Sequence, residues 1–301
     1  MKGCEILTTK MYWLQTITPL HVGIGRGVGF IDLPIMREKV TSWPLVPGSA
    51  VKGVMRDHFM QNKVEEPLIN AAFGLRSGQG EDDTGNAGAL VLTDAHIVCL
   101  PVRSLYGTFA YVTSHLVLER LKRDLIAAGY KDVPEAPEPG DHEALHTSGS
   151  KLVVDNDNKI FFEDLDFASK PDDDKTQKWA EMLAKAIFSD KQWQNIFKER
   201  FAVVSDNSFN FLSETATEVA AHIKIEEDRK IVAKGALWYE EALPIETILA
   251  GIAWCDRVYG GNGINQEKII RTFCSDLALE LQIGGKATVG KGRVRCLFTN
   301  R

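Results

Sequence analysis

The sequence predicts an α+β protein with a ferredoxin-like (RRM-like) core sheet, helical insertions and a protruding β-hairpin. Three observations carry this. Residues 11–18 (MYWLQTIT), 89–100 (ALVLTDAHIVCL) and 292–298 are short apolar runs of strand length. Between them, Val51, Val54, Met55 and Phe59 recur at helical spacing. The elements follow as strand, helix, strands, helix, strand, an order that lays helices on one face of a single sheet. The whole chain, 1–301, reads as one domain.

Taken in order, the first strand leads into GIGRGVG at 23–29, where four glycines in seven residues exclude a regular element. Residues 30–48 are extended and carry Pro34, Pro44 and Pro47. Ser49 is suited to N-cap a helix to about residue 61. Lys52 and Arg56, four apart, share one face of it. A second short helix covers 64–73, and a glycine-rich acidic turn covers 74–88. Ser114 caps a helix to about 128 that Gly129 closes. Residues 131–174, with prolines, acids and few aromatics, read as an acidic surface insertion, partly mobile. Helices fill 175–188 and 190–199. A hairpin, 217–244, pairs 218–226 with 231–241 across the polar turn EDRK. A strand at 245–254, a helix at 266–280, a glycine loop and the last strand complete the chain.

With 301 residues, 44% of them hydrophobic, the chain is long enough for a sizeable core. No stretch reaches the roughly 18 apolar residues of a membrane helix. The N-terminus lacks the long apolar run of a secretory signal, so a soluble, cytoplasmic protein without a membrane partner is expected. The five cysteines are scattered and never spaced as CxxC, which argues for free thiols over a disulfide framework or a zinc site. The net charge of −6 at first argues against nucleic acid. However, residues 131–174 hold thirteen acids and four bases, which leaves +3 for the remainder. The tail 283–301 holds five bases and no acid, and local patches matter more than totals for phosphate binding.

Several stretches can carry chemistry. In IGGKATVGKGRV (283–294), Gly285, Gly290 and Lys291 match GxxxxGK, but Gly292 stands where a nucleotide-binding loop needs Ser or Thr for Mg²⁺. A strand, not a helix, follows, so NTP hydrolysis is disfavoured, while the glycines and lysines still suit phosphate. GIGRGVG is followed by Pro34 and extended chain, not the helix of a dinucleotide fingerprint. Asp32, between Ile31 and Leu33, is exposed, paired or functional, and its residues alone do not decide which. His21 is equally ambiguous. In the hairpin, Trp238 and Tyr239 beside Glu240 and Glu241 either pack on the core or stack bases and move protons. His142 and His146 stand four apart, but their surroundings read as loop, which disfavours a metal site.

Residues 18–56 (TPLHVGIGRGVGFIDLPIMREKVTSWPLVPGSAVKGVMR) resemble the N-terminal signature of RAMP proteins, the RNA-binding subunits of CRISPR effectors. HIKIEEDRKIVAKGALWYEEALP (222–244) resembles their thumb hairpin, and 283–294 their closing glycine-rich loop and strand. DAHIVCLPVRSLYGTFAYVTSHLVLER (94–120) is similar to the backbone subunits of type III-B (Cmr) effectors. The resemblance implies copies of the chain stacked along a guide RNA, with target RNA and other Cmr-complex subunits as further partners. It implies RNA contacts by Arg37, Ser49, Lys52 and Arg56, by His222 and Lys224 of the thumb, and by Lys286, Thr288, Lys291 and Arg293. It also implies that the thumb splays the guide–target duplex at intervals and that Asp32 cuts the target there. A splayed nucleotide lets the 2′-OH reach in-line geometry. Since a carboxylate is a weak base, the expectation is an endoribonuclease assisted by a divalent cation, Mg²⁺ or Mn²⁺, that Asp32 helps hold. His21 and Glu240 are the further candidates for proton transfer or positioning. The rivals are an RNA-binding subunit that never cuts and a nucleotide-dependent enzyme using 285–291.

Overall fold

In the first strand, Met11 to Thr16 are all buried, although Met11 and Trp13 point to one face of the sheet and Tyr12 and Leu14 to the other. A strand without a polar face must be covered twice. The computed structural model, which describes residues 9–25, 27, 29–75, 87–154, 158–225, 232–259 and 263–299, shows how. In chain order its elements are β1 (Lys10–Thr16), β2 (Leu45–Val46), α1 (Gly48–Gln61), α2 (Glu66–Phe73), β3 (Leu90–Leu92), β4 (Ala95–Arg103), β5 (Phe109–Ser114) and α3 (His115–Ala127). Then come β6 (Glu143–His146), β7 (Lys159–Phe162), β8 (Leu165–Pro171), α4 (Lys175–Ile187), α5 (Lys191–Lys198), β9 (Phe201–Val204) and α6 (Asp206–Thr215). The last are β10 (Glu218–Ile225), β11 (Val232–Ala242), β12 (Ile248–Cys255), α7 (Gln266–Phe273), β13 (Leu279–Gln282) and β14 (Arg293–Thr299).

Among the described residues, twelve strands form one mixed sheet in the order β13-β14-β1-β12-β4-β5-β9-β6-β8-β7, with β2 beside β4 and β3 beside β12. β5–β9 and β6–β8 are parallel, and the other pairs are antiparallel. Tyr12 and Leu14 pack with Val51, Met55 and Phe59 of α1, Phe73 of α2 and Phe273 of α7. Met11 and Trp13 pack with Leu118, Leu121 and Leu125 of α3 and with Trp179 and Leu183 of α4. Helices therefore lie on both faces, not on one as the sequence predicts, because β1 is apolar on both. Full burial of such side chains contributes about 1.5–3 kcal/mol each.

Other expectations change for local reasons. The run 89–100 is two strands, broken at Thr93 and Asp94. Thr93 O accepts from the Tyr12 hydroxyl at 2.5 Å, and Thr93 Oγ1 accepts from the Ile252 amide at 2.9 Å. Asp94 Oδ1 accepts from the Gly48 amide at 2.9 Å, so a carboxylate from across the fold caps α1. Ser49 is not the cap; it lies exposed in the first turn. The helix expected over 266–280 stops at Phe273, and β13 takes up Leu279 onward.

The acidic segment expected as a surface insertion carries regular structure in its described residues. It supplies β6, β7 and β8, and Leu152, Ile160, Phe162 and Phe167 enter the core. Among its described residues no charged side chain is buried, and some form ion pairs such as Lys159–Asp166 at 2.6 Å. His146 is buried on a strand, with Nε2 2.8 Å from Ser169 Oγ and Nδ1 2.8 Å from Thr147 O. Its i, i+4 relation to His142 is thus not helical, and the described residues contain no cluster of three or more metal-ligating side chains. Cys99, Cys255, Cys274 and Cys296 are free and buried, as expected; Cys4 lies outside the described residues. No helix among the described residues is long and apolar enough to cross a membrane.

β10 and β11 form a sheet of their own, antiparallel from Glu218↔Ala242 to Ile225↔Val232, with an irregularity between Ile223 and Ile225. The EDRK turn lies outside the described residues. Pairing puts His222 across from Trp238 and Ala220 across from Glu240 on one face. Ala221–Tyr239 and Val219–Glu241 lie on the other. The adjacent Glu240 and Glu241 therefore point in opposite directions.

Candidate nucleic-acid interface

Three segments far apart in sequence meet at the base of this hairpin. Residues 20–25 and 29–36 run back against each other, with Met36 N donating to Val22 O at 2.7 Å and a bridge between Gly23 and Ile35. Both arms dock on β11, through bridges Leu20↔Leu243 and Leu33↔Glu240. His21, 7% exposed, donates from Nδ1 to Glu241 O at 2.7 Å, which fixes the proton on that nitrogen. Gly23 passes so close that a Cβ there would sit 2.7 Å from His21 Nε2, which explains one glycine of the loop.

Asp32 is exposed at the end of this fold-back. Its Oδ2 accepts from the Tyr239 amide at 2.8 Å, and its own amide donates to Tyr239 O at 3.2 Å. The carboxylate is thereby tied to the hairpin backbone while open to solvent. Beside it, Phe30, 74% exposed, meets Tyr239 edge-on at 6.3 Å. An exposed aromatic pair of this kind can stack a base.

On the opposite face of β11, Glu240 is 1% exposed. Lys291 Nζ donates to its Oε1 at 2.8 Å, Lys286 Nζ lies 3.2 Å from Oε2, and His222 Nε2 lies 3.8 Å from Oε2. Burial pushes the Glu240 carboxyl up, but the two ammonium groups outweigh it and hold it below the usual carboxylate range. Both lysines come from the 283–292 loop, which joins β13 to β14 as an antiparallel connection and opens no helix of the nucleotide-binding kind. Gly284, at φ 79°, packs against His21, where a Cβ would meet His21 O at 2.2 Å. Gly285 N donates to His21 O at 2.9 Å and Gly292 N to Pro19 O at 2.8 Å. Thr288 is exposed on the turn between Lys286 and Gly290, both of positive φ.

His21, Asp32, His222, Glu240, Lys286, Thr288 and Lys291 thus gather around the hairpin base. Lys224 is exposed farther along β10, and Arg293 is exposed at the start of β14, 3.5 Å from Glu280. Of the remaining cations, Lys52 and Arg56 lie elsewhere, and Arg37 is tied to the other face of β11. Lys52 donates to Leu90 O at 2.5 Å, and burial lowers its pKa. Arg56 donates to Gly74 O at 2.6 Å and Asn70 Oδ1 at 3.2 Å. Arg37 donates to buried Glu241 at 2.6 Å and to Ser42 O and Ser213 O. Each ties backbone segments together. Glu241, which the sequence offered only as a proton-handling carboxylate beside Glu240, also accepts from Ile35 N at 3.1 Å and Thr217 Oγ1 at 2.9 Å. The signal for it was the Glu-Glu pair itself, since neighbours on a strand face opposite ways.

Residues 13–295 match the RAMP superfamily. The chain belongs to this family. Across 94% of this chain and 92% of the other protein, the RAMP chain is 37% identical to the CRISPR system Cmr endoribonuclease Cmr4 of Pyrococcus furiosus. The crystal structure of oligomeric Cmr4 from Pyrococcus furiosus is similar at a TM-score of 0.73 and 32% identity, covering 98% of both chains. The fold also recurs, at 18% identity and a TM-score of 0.72 over 96% of each chain, in the cryo-EM structure of the type III-B Cmr-beta complex bound to cognate target RNA.

Proposed function

We propose that this chain is a guide-RNA-binding backbone subunit of a type III-B CRISPR effector and that it cleaves target RNA with Asp32. The observation that carries the reading is the convergence at the hairpin base. An exposed carboxylate is locked to the hairpin by the Tyr239 amide, with the lysine-bearing loop on the other face of the same strand. The similarity to a Pyrococcus furiosus protein named an endoribonuclease supports cleavage, and the oligomeric crystal form of that relative supports stacking of copies. The strand order β14-β1-β12-β3, with α1 and α7 as the crossing helices, supports a ferredoxin-like core. In this reading β10–β11 is the thumb.

The hairpin separates a base pair of the guide–target duplex, and Phe30 and Tyr239 receive the freed nucleotide by stacking. Splaying frees the backbone to align the 2′-OH with the departing 5′-oxygen. Asp32, held at the hairpin, faces that phosphate. His21, oriented through Nδ1, is a positioning group for the segment that leads to Asp32. Asp32, an exposed carboxylate, would be the residue to hold a hard cation such as Mg²⁺ or Mn²⁺. When bound, such an ion neutralises charge on the phosphate.

The test is target-RNA cleavage by the reconstituted complex, wild type against Asp32→Ala, with Mg²⁺ or Mn²⁺ and with EDTA. Regularly spaced cuts should fall by at least ~100-fold in the variant and in EDTA, with guide and target binding intact. Cleavage by Asp32→Ala at the wild-type rate would refute the assignment. Tight binding without cuts by either protein would leave a structural RNA-binding subunit.

A further inference from the structure

Glu240 is held by two lysines of the loop that the reading above assigns to RNA, and the two are held unequally. Lys291, with a side chain 17% exposed, makes a 2.8 Å hydrogen bond to Oε1. A second carboxylate, Glu218, also acts on Lys291, although burial raises the Glu218 carboxyl. Lys286 differs: its side chain is 38% exposed, and it reaches Oε2 at 3.2 Å outside hydrogen-bond geometry. Oε2 therefore accepts no hydrogen bond, and neither does His222 Nε2, 3.8 Å away. Lys286 is therefore the more loosely held of the two, because its contact is longer and more exposed to solvent than that of Lys291.

We propose that Glu240 is an internal counter-ion that occupies Lys286 and Lys291 in place of RNA phosphate, with Lys286 the exchangeable partner and Lys291 the fixed one. This rests on the RNA-binding reading. An arriving phosphodiester takes Lys286 from Oε2, and His222, free at Nε2, can then close on the vacated oxygen. Lys291 stays on Oε1 and keeps the buried charge compensated. Glu240 is thus a positioning residue that sets how many of the loop's cations engage RNA. It gives the loop one phosphate contact from this pair instead of two.

The sign of the expected effect separates this role from a structural one. The full chain is titrated with a mixed-sequence single-stranded RNA across a series of salt concentrations. Replacing the counter-ion (Glu240→Gln) releases Lys291, so RNA should bind more tightly at low salt. The slope of log affinity on log salt should steepen by about 0.7, the increment of one phosphate contact on a single strand. The ratio of variant to wild-type affinity then shrinks about 2.6-fold between roughly 50 and 200 mM salt. Weaker binding, or an unchanged slope, by a folded variant overturns the proposal, because loss of a structural tie can only lower affinity. If Glu240→Gln does not fold, single lysine variants decide. Lys286→Met should flatten the wild-type slope by about 0.7, and Lys291→Met, which leaves Lys286 as the remaining lysine on the buried carboxylate, should flatten it as well; an unchanged slope in Lys286→Met overturns the exchange. Absence of RNA binding by the wild-type chain and by its assembled complex would instead overturn the RNA-binding reading itself.

Discussion

Replacing Glu241 by glutamine is the sharpest test of how the Asp32 segment is held. Glu241 is 2% exposed and collects the Ile35 amide, the Arg37 guanidinium and the Thr217 hydroxyl within 3.1 Å. An amide of the same shape keeps one acceptor and turns an NH₂ group toward donors on the other side. Removing one partner of a buried ion pair costs about 3–5 kcal/mol. Arg37 keeps its bonds to Ser42 O and Ser213 O, so the lower end, about 3 kcal/mol, applies. At about 2.1 cal/mol/K of unfolding entropy per residue over 301 residues, that lowers the melting midpoint by about 5 °C. Differential scanning calorimetry measures it. In the assembled complex, Glu241→Gln should also slow cleavage, since Ile35 and Leu33 register Asp32 on the hairpin. A midpoint within about 1 °C of wild type, against the ~5 °C expected, would show that Glu241 does not anchor the segment.

Two further outcomes follow from the same structure. Burial alone would raise the Glu38 carboxyl, but the Arg120 guanidinium, the Thr41 hydroxyl and His96 hold it at about 2. Its folded value is depressed, so the stabilisation, about 3 kcal/mol, is present above the ordinary carboxylate range and is lost as pH falls from about 4.5 toward 2. Arg120→Met should therefore be less stable than wild type at pH 7 in urea unfolding, with the gap closing near the bottom of that window. A gap independent of pH would count against the ion pair. In a Cys4→Ser chain, the four buried thiols should resist a disulfide reagent until the protein unfolds, because burial holds Cys255 up to about 11 and Cys274 up to about 12 and shields all four. Rapid labelling of the native chain would refute that.

Local pattern in the sequence determined the elements whose signals are local. The α1 stripe of Val51, Met55 and Phe59, the α3 cap at Ser114, the helices at Lys175–Ile187 and Lys191–Lys198 and the pairing of β10 with β11 all stand where periodicity and capping chemistry put them. The family, too, was legible, because its motifs keep their order along most of the chain. What sequence could not determine depends on distance. Asp94 takes the cap from Ser49 because the strand break at Thr93 delivers a carboxylate to Gly48, 46 residues away. The acidic segment reads as a surface insertion, yet β6–β8 find sheet partners that burial of Ile160, Phe162 and Phe167 makes worthwhile. Lys52, Arg56 and Arg37 look like free cations on a page of letters, but folding gives each a backbone carbonyl or a buried carboxylate. Likewise the Glu240–Glu241 dipeptide carries two opposite assignments because alternate strand residues face opposite ways, and only the tertiary structure decides what waits on each side. Charge type is written in the sequence; whether a charge meets solvent, RNA or another residue of its own chain is set by packing.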